Sequence, residues 1–389
     1  MRDALFTPRF FIMCTYTFTV FVSVFQLLPT APYRILELGG STFAAGLFLG
    51  FLTYASASSA PLTGHVGDRI GQRRVLMGVS VILAICTASY AVITDYRVML
   101  GVVIVHGLFW SALLAASGAY MTHTVPASRR AEGLGYWGMA SVSAIAVAPP
   151  LGFWVYHHGW FVFCAELVVL NVLMALIAWR LPDDRMAEEN LQSVSSASHA
   201  NLIEWRVLFL SVAMGLVSFG YGGLTSFSAL FSDWLHVAPR SLFLSVMAVA
   251  ILAARLLLGR RLDAVGHRRM MLPALVVPAA GLLVLAGAQG ETSFLIAAAL
   301  FGGGFGLMYP AFAAYVMGHV TAQRRGAAFG AMIAAFDMGI GTGSSTIGWV
   351  IGGYGFRMAF AGAALLAFLS VPYFLVAERR LGFLGARPS

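Results

Sequence analysis

Apolar runs of about twenty residues, each long enough to cross a hydrocarbon core of roughly 30 Å as a helix, recur along the whole chain between short polar segments. They predict twelve membrane-spanning helices at approximately 9–29, 42–62, 75–94, 98–123, 132–156, 160–179, 207–230, 241–258, 270–288, 292–318, 327–352 and 356–376. The one long polar stretch, Leu181 to Asn201, lies between the sixth and seventh spans and is rich in Ser, Asp, Glu and Asn. It reads as a cytoplasmic linker. The expected organisation is an all-α membrane protein with an N-terminal six-helix bundle over 1–180, a linker over 181–203 and a C-terminal six-helix bundle over 204–389.

Composition agrees with lipid as the solvent. Of 389 residues, 59% are hydrophobic and 10% charged, against roughly half apolar and a quarter charged in a soluble domain. The 42 glycines fall, with Ala and Ser, inside the apolar runs, as expected where helices approach closely in a membrane. The net charge of +8 comes with arginine as the only basic side chain besides histidine. Its placement argues against a nucleic-acid partner. If the N-terminus is cytoplasmic, nineteen arginines fall in inner segments and only Arg34, Arg97, Arg240 and Arg357 in outer ones. This is the positive-inside bias, and it places both termini in the cytoplasm of a multi-pass protein. Cys14, Cys86 and Cys164 lie in apolar runs without metal-ligand spacing, so packing is expected of them and no metal site is. Phe10 to Leu28 is long enough to be the first span and lacks a small-residue cleavage motif after it, so it is expected to stay in the mature protein.

A shift of 195 residues superimposes the two halves without a gap over a long stretch. Gly64, Asp68, Gly71, Arg73 and Arg74 fall on Gly259, Asp263, Gly266, Arg268 and Arg269. With the same shift Gly107 falls on Gly302, Tyr120 on Tyr315, Arg129 and Arg130 on Arg324 and Arg325, and Gly135 on Gly330. Six spans per half make the repeats parallel, related by an axis along the membrane normal. Two pseudo-symmetric bundles with a site between them are the expected consequence.

The loop expected after the second span reads Gly64-His65-Val66-Gly67-Asp68-Arg69-Ile70-Gly71-Gln72-Arg73-Arg74. It resembles the signature loop of the major facilitator superfamily, and the second copy, the central linker and the twelve-span count extend the resemblance over nearly the whole chain. An aspartate at a helix end accepts hydrogen bonds and pairs with arginines, while glycines permit a tight turn. The resemblance implies a conformational latch of Gly64, Asp68, Arg69, Gly71, Arg73 and Arg74, with Asp68 against the eleventh span and Asp263 and Arg268 in a weaker copy. A charged segment that only sets topology is the other reading. Leu28-Pro29, Pro32, Gly39-Gly40-Ser41 and Gly306-Leu307-Met308-Tyr309-Pro310 look like drug- and metabolite-efflux members. Ala144, Ala148-Pro149-Pro150-Leu151-Gly152 resembles the exporter-associated glycine-proline motif, with alanines where glycine is usual. In the fourth span Val103 and His106-Gly107 stand where many proton-coupled exporters carry an arginine. Coupling through that arginine is excluded.

Ionisable groups within a bilayer cost at least a few kcal/mol, so each needs a partner, a wet cavity or a function. Asp337 lies near the middle of the eleventh span among glycines, where it either binds and releases a proton or pins two helices through neutral donors. Arg255 in the eighth span either reaches the inner interface or pairs with Asp337. His106 has an imidazole suited to proton exchange, and also suited to a packed hydrogen bond. Glu166 in the sixth span, peripheral in the superfamily, completes the proton-coupling candidates. Spans one, four, seven and ten, which line the cavity in the superfamily, supply Gln26, Trp110, Tyr221, Phe227 and Tyr309. An aromatic, largely uncharged wall suits an amphipathic or weakly polar solute, unless those rings only fill helix contacts.

No nucleotide-binding loop of the Gly-x-x-x-x-Gly-Lys type is present, and His157-His158 form no metal or nucleophile constellation, so neither ATP-driven transport nor enzyme chemistry is expected. The expected function is alternating-access secondary transport in a bacterial-type inner membrane, driven by a proton gradient without a cofactor and directed to efflux. Proton-coupled uptake uses the same parts. A non-transporting receptor or scaffold would not need intramembrane carboxylates or two latches. The resemblance implies a monomer.

Overall fold

The computed structural model describes residues 4–182, 204–265, 267–321 and 324–381. Before the polar segment come α1 (Pro8–Glu37), α2 (Thr42–Ile70), α3 (Gln72–Val92), α4 (Tyr96–Thr124), α5 (Arg130–Tyr156) and α6 (Trp160–Trp179). After it come α7 (Trp205–Trp234), α8 (Leu242–Val265), α9 (His267–Ala286) and α10 (Glu291–Met317). The final element, Arg325–Arg380, breaks at Gly355, whose φ of 80° is non-helical, into α11 (325–354) and α12 (356–380). Among the described residues ten elements are long and apolar enough to cross a membrane, the final one broken at Gly355 into two helices, and Leu242–Leu258 of α8 is a shorter apolar helix. Each of the twelve expected spans falls on a helix.

Three helices run well past the expected ends of their spans, α1 to Glu37, α2 to Ile70 and α8 to Val265. Helix α2 continues to Ile70, well past the expected end of the second span, and α3 starts at Gln72. The segment expected as a loop is therefore the last turns of α2 and a single linking residue, Gly71, with φ 94°. Only glycine adopts that conformation without strain, which allows the chain to reverse in one residue.

By contacts the chain forms two units, Met1–Thr30 with Tyr54–Ser198, and Ala31–Thr53 with His199–Ser389. The sequence boundaries near 180 and 204 follow chain order alone, whereas contacts assign the end of α1 and the start of α2 to the second unit. Small residues explain this. Ser344 Oγ on α11 donates to Gly46 O at 2.8 Å, and a side chain on Gly46 would collide with the Ser344 carbonyl. Tyr33 Oη donates to Asp233 at 2.9 Å, and Arg240 pairs with the same carboxylate.

The first unit is held by an apolar core that includes Met13, Tyr16, Leu76, Leu113 and Met121, crossed by buried polar contacts. Tyr16 Oη lies 3.0 Å from Ser80 Oγ. Asn171 of α6 accepts from Ser23 of α1 and donates to Thr87 of α3. The second unit contains a backbone-to-backbone seam between α7 and α11. A Cβ on Gly339 would strike the Gly215 carbonyl, one on Gly222 the Ile340 carbonyl and one on Gly343 the Phe219 carbonyl. Lipid gives helices no hydrophobic reason to associate, so close van der Waals approach through small residues takes that role. Gly343→Ala is expected to lower the melting temperature of the purified protein, through overpacking of about 1–3 kcal/mol. Gly362→Ala, where an added Cβ meets nothing within 4 Å, is expected to leave it unchanged.

Candidate functional site

In the second unit, helical geometry separates the two faces of α11. Ala335 and Gly339 meet Gly215 of α7, and Asp337, two residues from each, is rotated by roughly 200° to the other side of the helix. There it comes within electrostatic reach of Tyr309 on α10. Among the described residues its carboxyl group forms no ion pair. The neighbouring Phe336 lies against the rings of Tyr309, centroids 5.8 Å apart, and Phe305, 5.9 Å apart. Phe305 stacks on Tyr221 of α7 at 4.5 Å. Tyr221, Phe305, Phe336 and Tyr309 thus form a continuous aromatic array ending beside Asp337. Phe227 stands apart, buried at Gly348, where an added Cβ would lie 2.8 Å from its ring.

The pair of Arg255 with Asp337, the alternative reading of that arginine, is not formed among the described residues. Arg255 Nε donates to the Gly306 carbonyl at 3.1 Å, close to Tyr221. The reason lies four residues further along α10. A helical carbonyl at 306 accepts from the N–H of residue 310, and Pro310 has none. Arg255 supplies the missing donor, and Gly306 permits the approach because α8 packs directly on it, with an added Cβ 2.9 Å from Ile251 O.

In the first unit His106 is buried, its Nδ1 3.3 Å from Tyr90 Oη, with the two rings stacked at 6.1 Å. The Tyr90 carbonyl accepts from Trp160 Nε1. Trp110 meets Phe21 of α1 edge-on, 5.7 Å between centroids. Gln26 and Glu166, expected in different roles, are joined: Gln26 Nε2 donates to Glu166 Oε1 at 3.1 Å. A separate cavity of about 500 Å³ at the N-terminal end of α1 is lined in part by Arg9, His123 and Arg180. It holds none of the expected substrate residues.

The latch residues divide between the described and the undescribed. The side chains of Gly64, Asp68 and Asp263 lie outside the described ones, and Arg69 and Arg74 are exposed. Arg73 NH2 donates to the Trp179 carbonyl at 2.6 Å, so a cation caps the C-terminal end of α6. Its repeat partner Arg268 makes a two-pronged bond with Glu378 of α12, Nε at 2.7 Å and NH2 at 3.0 Å. Tyr315 Oη donates to the same carboxylate at 2.6 Å, and its repeat partner Tyr120 donates to the Pro182 carbonyl at 3.2 Å. Sequence reasoning missed Glu378, which reads as one more terminal charge. The signal was the matched Tyr120 and Tyr315, whose hydroxyls need acceptors at corresponding places. Phe305, Phe336 and Asn171 were also missed, since one apolar or amide residue in a span looks like any other.

A family model described as Major Facilitator Superfamily matches residues 10–254 and 211–387. An uncharacterised MFS-type transporter of Burkholderia mallei (strain SAVP1) is 27% identical over 379 residues, covering 94% of this chain and 91% of the relative. A similarly described protein of Pseudomonas aeruginosa (strain UCBPP-PA14) is 27% identical over 88% of this chain and 86% of its own length. Among solved structures, the nucleoside transporter NupG has a TM-score of 0.75 at 15% identity, covering 98% of this chain and 100% of its own. The human organic anion transporter MFSD10 has 0.72 at 14%, covering 95% and 100%. A bacterial homologue of the human lysosomal transporter Spinster, in an inward-facing and unoccupied conformation, has 0.77 at 13%, covering 100% of both chains. Arg255→Met is expected to destabilise the protein by about 1–3 kcal/mol through the exposed Gly306 acceptor. Pro310→Ala, which restores the helical N–H, should recover part of that loss in a thermal double-mutant cycle; strict additivity would refute the shared carbonyl.

Proposed function

The chain belongs to the major facilitator superfamily and is a multi-pass membrane transporter, and on that premise we propose that it exports a small amphipathic or weakly polar solute in exchange for protons. The observation that carries this reading is Asp337, a carboxyl group without an ion-pair partner among the described residues, at the end of the array Tyr221, Phe305, Phe336 and Tyr309. An aromatic surface favours apolar or ring-bearing solutes by ring contacts and area burial. A carboxyl group beside it links solute to proton, because an anion there interacts with bound solute differently from a neutral acid.

The efflux direction rests on the resemblance of α5, through Ala144, Ala148, Pro149, Pro150 and Gly152, to the exporter-associated motif. We place the protein in a bacterial inner membrane with both termini cytoplasmic, on the arginine asymmetry. It works as a monomer, with the proton gradient as sole energy source and no cofactor. Arg73 and Arg268, each tied to the last helix of its own half, belong to the latch that steadies each half during the cycle. His106, held by Tyr90, and Arg255, held by Gly306, act as positioning residues.

Purified protein in liposomes, with an imposed pH gradient and a panel of amphipathic solutes, tests this reading. Solute is expected to move against the direction of proton flow. Asp337→Asn should reduce gradient-driven flux by about tenfold or more, on the scale of a coupling free energy between two ligands, while solute exchange without a gradient persists. Movement of solute with the protons would establish uptake instead. Full gradient-driven flux in the variant would remove Asp337 from the coupling step.

A further inference from the structure

The contact between α1 and α6 in the first unit contains two buried oxygens that no donor reaches among the described residues. Gln26 is 0% exposed, and its Nε2 donates to Glu166 Oε1 at 3.1 Å. The remaining oxygen of each group, Gln26 Oε1 and Glu166 Oε2, is buried without a hydrogen-bond partner among the described residues. The pair is held firmly in place. Gly152 of α5 brings its backbone against the glutamine, since an added Cβ would lie 2.9 Å from Gln26 Cβ. The backbone carbonyl of Gln26 accepts from Thr30 Oγ1 at 2.8 Å. One turn before Gln26, Ser23 donates to Asn171 of α6, which donates to Thr87 of α3. Gln26 cannot swing aside without unpacking this contact.

Two orphaned acceptors on two groups already joined by a hydrogen bond lack a single donor. Leaving a buried acceptor unsatisfied is costly, and a carboxylate held in a membrane interior by one neutral amide is costlier still. One proton removes both deficits. We propose that Glu166 and Gln26 together form a proton-binding site, in which Glu166 Oε2 carries the proton and donates it to Gln26 Oε1. The result is a reciprocal carboxylic acid–carboxamide pair, with each group donating once and accepting once. The bond formed is O–H on Glu166, and the proton exchanges with water.

On α3 and α6 the titratable groups Cys86, Tyr90 and Cys164 lie within electrostatic reach of one another, thiols and a phenol that are neutral at physiological pH, and His106 of α4 is bonded to Tyr90. Among the described residues no ion pair engages Glu166. Loss of the proton leaves a carboxylate opposed to an amide oxygen across α1 and α6, so the ionised state favours their separation. The site lies in the first unit and does not depend on Asp337 carrying the coupling proton.

Infrared difference spectroscopy on the lipid-reconstituted protein tests the assignment. At neutral pH the wild type is expected to show a protonated-carboxyl C=O band that shifts in D2O. Glu166→Gln should abolish that band while keeping an amide–amide pair and the wild-type melting temperature. Gln26→Leu should move the band to higher frequency, because its O–H loses its acceptor. Asp337→Asn should leave it in place, so the two carboxyl assignments fail independently. A wild-type minus Glu166→Gln spectrum showing ionised carboxylate bands would overturn the proposal. So would a C=O band that persists unchanged in Glu166→Gln.

Discussion

Lipid supplies no hydrogen bonds, so every polar group within the bundle must find its partner inside the protein. Most of the informative contacts in this chain follow from that constraint. Pro310 removes a donor from α10, and Arg255 crosses from α8 to the freed Gly306 carbonyl. Asn171 accepts from α1 and donates to α3. Tyr90, His106 and Trp160 satisfy one another across α3, α4 and α6. Gln26 and Glu166 are among the described groups where the constraint is unmet, and because they are already bonded to each other we propose that they share a proton.

The second organising feature is close approach. Glycines at 215, 222, 339 and 343 let α7 and α11 touch backbone to backbone, and any larger side chain would force them apart. That contact fixes the rotation of α11 and so decides where Asp337 goes. With Ala335 and Gly339 committed to α7, helical geometry sends the carboxyl group toward Tyr309 and the aromatic array. The placement of Asp337 and the packing are therefore consequences of one arrangement, in which small residues on one face of a helix orient a carboxyl group on the other.

The internal repeat adds a third feature. Matched residues kept their place while changing partners: Arg73 caps α6 through the Trp179 carbonyl, and Arg268 grips the Glu378 carboxylate. Tyr120 and Tyr315 diverge in the same way. Each half thereby ties its last helix to the start of its third, once through backbone and once through a buried acid. Duplicated geometry has been retained while the chemistry of the tie has changed.

Twelve spans, the duplication at a fixed offset and the membrane environment were all legible in the chain itself, because lipid imposes run length and composition on each helix independently of its neighbours. A glycine-permitted turn between the second and third spans was legible too, but its confinement to Gly71 was not. Partner choice was not. Asp337 beside Arg255 is as reasonable a pairing as Asp337 beside Tyr309 when only spans are known, and Gln26 reads as a cavity residue until α6 is placed against it. Those outcomes depend on the rotation and depth of one helix relative to another, a few ångströms set by where glycines permit backbones to meet. Hydrophobic runs carry no record of that, so only the tertiary structure could decide which polar groups face each other and which are left waiting for a proton.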